Sequence, residues 1–184
     1  KMLNIEDSAL VIIDIQDRLV QASKYGEEVA QNMTKVAKAA KVLGIPIVAT
    51  EQYPKGLGHT VPQLQEAFDE KTFVTEKASF SALLEPIFAQ KINGFKNAGI
   101  KQIAIGGIET HICVLQTAVA LMNEGFEVYV IKDTCASRNK KEYKAGLELL
   151  KQYGAKITCV EIALFEWLKT SKNPKFKEVQ ALIK

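Results

Sequence analysis

Three residues of types that do chemistry fall just after short apolar runs: Asp14, Lys77 and Cys113. Asp14 closes Ala9-Leu10-Val11-Ile12-Ile13. Lys77 follows Thr72-Phe73-Val74-Thr75. Cys113 lies in Gly106-Gly107-Ile108-Glu109-Thr110-His111-Ile112-Cys113, which reads as a strand-to-helix junction. A carboxylate at the end of a buried strand is rarely buried without a partner, and Lys77 is the natural cation for it. A thiol in the first turn of a helix meets unpaired backbone N–H groups and the positive end of the helix dipole. That position predicts a lowered pKa and an available thiolate. The same N–H groups can stabilise an oxyanion. A base, a cation and a thiol at one edge form a nucleophilic site in its cysteine version. The position of Cys113 suits a small buried hydrophobe equally well, and spacing alone leaves both readings open.

Other chemistries find less support. Cys135, placed after the fifth strand, and Cys159, placed within the sixth, read as structural. The turn Asp14-Ile15-Gln16-Asp17-Arg18 has no glycine, so a dinucleotide-binding turn is absent, and Gly106-Gly107 is not a phosphate-binding loop. His59 and His111 are 52 positions apart, without metal-ligand spacing, and no G-x-S-x-G accompanies them. At a helix start, two residues before the thiol, His111 points away from it and reads as a capping or surface residue.

The elements that must position these residues alternate regularly. Strands are expected at Ala9–Ile13, Ile45–Thr50, Thr72–Thr75, Gln102–Gly106, Phe126–Ile131 and Lys156–Val160. Helices are expected at Glu27–Leu43 (ended by Gly44), Glu85–Asn97 (ended by Gly99), around Ile112–Met122 (stopping at Gly125) and Lys140–Tyr153 (ended at Gly154), with helical patterns beyond the last strand. Glu51 to Pro62 reads as a loop. Six strands alternating with helices predict an α/β fold: three layers, doubly wound, with a six-stranded parallel sheet flanked by helices. In such sheets ligands bind beyond the carboxyl ends of the strands, where Asp14, Lys77 and Cys113 all fall.

Composition sets the outer limits. The 184 residues predict one domain, 1–184. The net charge is +3, with 22 lysines and only two arginines, Arg18 and Arg138, which is no nucleic-acid signature. The basic stretch from Lys169 to Lys184 reads as a solvated helix face. Three well-separated cysteines with no CxxC argue against a disulfide framework or a structural zinc site and point to a reducing, cytoplasmic setting. The longest apolar run is too short to cross a bilayer, and Glu6 and Asp7 ahead of it argue against a signal peptide. Met2, behind Lys1, reads as the natural start.

Val11-Ile-Ile-Asp14-Ile-Gln16, Lys77-Ala-Ser-Phe80 and Gly107-Ile-Glu-Thr110-His-Ile-Cys113-Val together resemble the three signatures of the isochorismatase-like cysteine hydrolases. Thr50-Glu-Gln-Tyr-Pro-Lys-Gly-Leu-Gly58 narrows the resemblance to the isochorismatase domain-containing subgroup. The resemblance implies an isochorismatase-like, Rossmann-like hydrolase fold and a catalytic triad of Asp14 as base, Lys77 as supporting cation and Cys113 as nucleophile. It implies hydrolysis of a small amide or related C–N bond through a thioester. It also implies a cis peptide at Ile108–Glu109 that aims the Glu109 N–H, with that of Cys113, into an oxyanion hole. Gln16, Gln52, Tyr53, Phe80 and Thr110 are the expected pocket residues for a small-molecule substrate. No organic cofactor is expected, and no metal, because Glu51-Gln52-Tyr53 stands where metal-dependent nicotinamidases of this family carry Asp-x-His. Family members are commonly homo-oligomers, so assembly is expected. A catalytically idle binding protein and a thiol redox sensor are the rival classes. A vinyl-ether hydrolase is disfavoured, because family members with that activity lack the cysteine.

Overall fold

A computed structural model describes residues 1–184. The continuous apolar run near the start forms β1 (Ser8–Ile13), with all six residues buried. Burial on both faces is what a central parallel strand requires. The other strands are β2 (Ile47–Gln52), β3 (Phe73–Lys77), β4 (Gln102–Ile108), β5 (Glu127–Ala136) and β6 (Lys156–Thr158). They form one sheet in the order β3-β2-β1-β4-β5-β6, and every neighbouring pair is parallel. The six-stranded, three-layer α/β architecture expected from the alternation is the one found.

In chain order the helices are α1 (Asp17–Ala22), α2 (Gly26–Leu43), α3 (Pro54–Leu57), α4 (Pro62–Gln65), α5 (Pro86–Asn97), α6 (Leu115–Asn123), α7 (Lys140–Tyr153), α8 (Val160–Leu168) and α9 (Phe176–Leu182). On one face of the sheet, Met33 and Val36 of α2, Trp167 of α8 and Val179 of α9 pack into one core. On the other, Phe88 and Ile92 of α5, Leu121 of α6 and Leu150 of α7 form a second. Trp167 is buried, and its indole N–H donates to Ser8 Oγ at 3.0 Å, which fixes α8 against the start of β1. Phe165, two residues before it and on the other side of α8, stays partly exposed and meets Phe176 edge-on.

Several boundaries differ from the sequence reading, and strand pairing accounts for the differences. β2 starts after Pro46, which has no N–H to donate, and extends to Gln52 because β3 pairs with it up to Gln52 opposite Lys77. Glu51 and Gln52 are therefore strand residues rather than loop residues, and Pro54–Leu57 adds a helical turn. β5 runs past Ile131 to Ala136, because a register shift between Ile105 and Gly107 realigns it, with Gly107 opposite Cys135. Cys135 thus lies inside β5, not after it. β6 stops at Thr158, so Cys159 is not a strand residue; it is the N-cap of α8.

The centre of the sheet closes on two glycines. A Cβ on Gly107 (φ +141) would sit 2.0 Å from the Ile13 carbonyl oxygen, and one on Gly106 would sit 1.9 Å from Thr134 Oγ1. Only glycine lets β4 approach β1 and β5 this closely at the point where the chain turns toward Cys113. Gly107→Ala is expected to destabilise the protein by more than about 2 kcal/mol, through backbone conformation and overpacking together. Urea unfolding followed by Trp167 fluorescence measures this, and a midpoint within error of wild type would refute the close-approach argument.

Candidate active site

The carboxyl ends of β1, β3 and β4 bring three side chains together. Asp14 follows β1 directly, with its backbone at φ 51°, a left-handed conformation that Asp tolerates better than most residues. Lys77 is the last residue of β3. Cys113 follows β4 in a π-helical turn, Thr110–Val114, that leads into α6. Lys77 Nζ lies 2.9 Å from Asp14 Oδ2, with both side chains fully buried. The same ammonium donates to Cys113 Sγ at 3.3 Å, to Gln52 Oε1 at 2.5 Å and to the Ser79 carbonyl at 3.0 Å. Thr50 Oγ1 donates to Asp14 Oδ1 at 2.7 Å. Oδ2 is held by charge attraction to Lys77 but accepts no aligned hydrogen bond, which leaves it open to a proton.

The electrostatics differ from the sequence expectation. Burial, reinforced by the charge of Asp14, pushes the Cys113 thiol up to about 12, against the pull of Lys77. A π-helical turn with a carboxylate beside it does not produce the stable thiolate that a helix start predicts. Burial also holds the Asp14 carboxyl above the usual carboxylate range, although Lys77, Thr50 and Cys113 oppose it. The resting arrangement is thus a neutral thiol beside a carboxylate whose affinity for a proton is enhanced. Cys135, fully buried in β5, is also pushed up to about 12 by burial.

The surrounding residues divide into fixed and open groups. Gln16 is fully buried; its amide donates to the Gln52 and Gly58 carbonyls and its oxygen accepts from Gln52 N–H. Its expected place in the pocket lining is therefore corrected: these bonds make it a staple that fastens the 53–58 segment to β2. Gln52 orients Lys77 and donates to the Ala78 carbonyl. Tyr53 and Phe80 are 62% and 53% exposed and flank the site. Thr110 is fully buried and its hydroxyl has no partner. Cys113 retains 7% of its surface, so only a small electrophile reaches it without rearrangement.

The Ile108–Glu109 peptide is cis, and the Glu109 N–H donates to no backbone or side-chain acceptor. The Glu109 carboxylate accepts from the Arg138 backbone N–H at 2.9 Å and from its Nε at 3.3 Å. His111 turns away from the thiol, and its Nδ1 lies 2.9 Å from Ser137 Oγ.

Glu51 is a feature that sequence reasoning missed. Its buried carboxylate accepts from the Thr60 N–H at 2.7 Å and hydroxyl at 2.8 Å, and meets His59 Nδ1 at 3.0 Å. Burial pushes Glu51 up, but these bonds outweigh it and hold the carboxyl below its ordinary value, while Glu51 raises the exposed His59. The Glu51 carboxylate is thus taken up in fastening the 59–60 segment. No group of three His, Cys, Asp or Glu side chains is arranged to hold a metal.

The isochorismatase domain model matches residues 8–162. The chain belongs to the isochorismatase family. It is 36% identical to isochorismatase domain-containing protein 2 of Xenopus laevis, over 96% of this chain and 83% of that one. It is 34% identical to isochorismatase domain-containing protein 1 of Danio rerio, over 96% of this chain but 61% of that longer protein. Among solved structures, the MAR1 ribonuclease of Caenorhabditis elegans superposes with a TM-score of 0.93 at 36% identity, covering all of this chain and 92% of that one. The family is that of hydrolases, and Asp14, Lys77 and Cys113 occupy the strand ends where an open α/β sheet binds its ligands.

In this isochorismatase-family site, the charges make two sharp predictions. Asp14→Asn removes the negative charge beside the thiol and should bring the Cys113 pKa well below about 12. The pH dependence of iodoacetamide labelling, read peptide by peptide, measures this; an unmoved Cys113 titration would mean that Asp14 does not act on the thiol. Lys77→Met leaves a buried carboxylate unpaired and is expected to cost about 3–5 kcal/mol at neutral pH. Because the Asp14 pKa in the folded state is already raised, and rises further without Lys77, this penalty is full above that pKa and fades as acid protonates the carboxyl. Unfolding curves across pH would contradict the ion-pair account if the penalty grew toward acid.

Proposed function

We propose that residues 1–184 act as one hydrolase domain that cleaves a small amide or related C–N bond through a thioester on Cys113. The observation that carries the reading is the buried contact of Lys77 Nζ with Asp14 Oδ2 at 2.9 Å and with Cys113 Sγ at 3.3 Å. In the first half-reaction Asp14 takes the thiol proton as Sγ attacks the carbonyl carbon, so a thiolate exists only as it is consumed. Lys77 offsets the charge passing between Sγ and the carboxylate. The Glu109 N–H, which has no protein acceptor, and that of Cys113 stabilise the tetrahedral oxyanion. The C–N bond breaks, Asp14 returns the proton to the amine, and the acyl group remains on sulfur. Water then attacks the thioester with Asp14 as base, releasing a carboxylic acid and restoring the thiol.

Several features favour this chemistry over its neighbours. A raised carboxyl pKa suits a general base that must accept a proton and give it back. A thiol held near 12 suits a base-assisted nucleophile and disfavours a peroxide sensor, which needs a standing thiolate. A vinyl ether offers no carbonyl for sulfur. The ribonuclease activity named for the C. elegans neighbour would need a cation free to hold a phosphodiester, and Lys77 is committed to Asp14. Tyr53 and Phe80 form the substrate-facing rim, the buried Thr110 hydroxyl is left without a partner, and the cation of the triad is already committed to a carboxylate, which suits a neutral or singly charged substrate. No metal or organic cofactor enters the cycle. A reducing, cytoplasmic setting agrees with three free cysteines, and no helix is long and apolar enough to cross a membrane. Partly exposed Ile162 and Phe165 on α8 give a homo-oligomer apolar surface to bury.

A panel of small amides examined by intact-protein mass spectrometry tests the reading. Wild type is expected to accumulate an acyl adduct on Cys113 and release amine. Cys113→Ala and Asp14→Asn should each lose activity by about 1,000-fold or more while remaining folded. Activity should fall as acid protonates Asp14, with a midpoint above the ordinary carboxylate range. Full turnover in Asp14→Asn would overturn the base assignment. A panel giving neither adduct nor amine would favour a catalytically idle binding protein.

A further inference from the structure

A second concavity lies away from the thiol, at the carboxyl end of β5 between the first turn of α2 and the start of α7. Its volume is about 390 Å³, within the range of small-molecule sites. The floor is buried and largely apolar, formed by Val29, Cys135 and Ala136. Lys24, Lys132, Lys140 and Lys144 stand exposed around it, against only two carboxylates, Asp133 and Glu28. None of the four ammonium groups has a carboxylate within salt-bridge distance. Asp133 is already engaged, accepting from the Val160 N–H at 2.9 Å. Tyr25 and Tyr143 complete the walls and offer aromatic faces.

An apolar floor rimmed by four lysines without carboxylate partners, one of them over the Tyr25 ring, is complementary to one ligand class: a small organic anion with a flat apolar body. We propose that this cavity binds a small aromatic or similarly apolar carboxylate, and that its occupancy is felt at the nucleophile turn. The physical route is short. Ser137 lines the cavity, its carbonyl accepts from the Lys24 N–H at 3.0 Å, and its hydroxyl is bonded to His111 Nδ1, two residues before Cys113. The next residue, Arg138, holds the Glu109 carboxylate through both backbone and side chain. The backbone of His111 also lies against Gly146 of α7, where a Cβ would come within 3.0 Å. A ligand that draws Lys24 and Lys140 together shifts the segment on which the nucleophile turn rests.

Benzoate is a suitable probe, and its binding can be measured without any substrate. Titration calorimetry on wild type and on Cys113→Ala should give the same saturable binding, with a Kd of roughly 0.1–1 mM that weakens with added salt. The double charge reversal Lys24→Glu with Lys140→Glu should weaken it about tenfold or more. Benzoate should also change the rate at which iodoacetamide labels Cys113, and Ser137→Ala should abolish that change while retaining binding. Absence of saturable binding, or binding indifferent to the charge reversal, would overturn the site. Competition by a Cys113 adduct would assign the binding to the catalytic pocket instead. Binding with no effect on labelling would overturn the link to the nucleophile. None of these readouts requires turnover, so they fail separately from the hydrolase reading.

Discussion

A carboxylate and an ammonium ion, each stripped of water and 2.9 Å apart, form the central constraint of this molecule. Leaving either Asp14 or Lys77 without the other costs several kcal/mol, since each charge is buried. Their mutual need fixes how the ends of β1 and β3 must lie, although β2 separates the two strands. Gln52, at the end of that intervening strand and opposite Lys77 in register, completes the bridge with its amide oxygen. The thiol then enters an environment already dominated by these two charges. Its proton affinity is set by them and by burial rather than by the turn that carries it.

The central sheet was legible because parallel strands buried on both faces read as unbroken apolar runs, and α7 was legible because Gly154 ends it; its Asn139 cap shows only in the structure. What failed to show were features created by pairing. β2 reaches Glu51 and Gln52 only because β3 is there to meet it, and neither side chain looks like a strand residue. β5 continues past a polar Lys132-Asp133-Thr134 because a bulge realigns it with β4, which carries Cys135 inside. Of the candidate site, the three convergent residues were legible from their place at or beyond the carboxyl end of a strand. The sign of the thiol shift was not, because helix position can be read locally whereas burial and a neighbouring carboxylate belong to the assembled fold. Gln16 was placed at the right edge but in the wrong role. Its three hydrogen bonds go to backbone atoms far along the chain, and no sequence pattern announces that.

Around the charged pair the protein uses two kinds of attachment. The 53–60 segment is tied down by side chains reaching to backbone, from Gln16 to Gly58 and from Glu51 to Thr60. The nucleophile turn is tied from the opposite side, by Ser137 and Arg138 beyond β5. Gln16, Glu51 and Ser137 are polar groups that burial has made costly to leave unpaired, so their fastenings are stronger than the count of bonds suggests, whereas the Arg138 contact is exposed. The exposed Tyr53 and Phe80 stand outside this framework and carry none of it.

The close approach of Gly107 to the Ile13 carbonyl has a wider consequence. That contact is main chain against main chain, one residue before Asp14, so the seating of β4 on β1 is held by backbone rather than by side chains. Side chains at the rim can be exchanged without disturbing it, whereas adding one at position 107 forces the two strands apart.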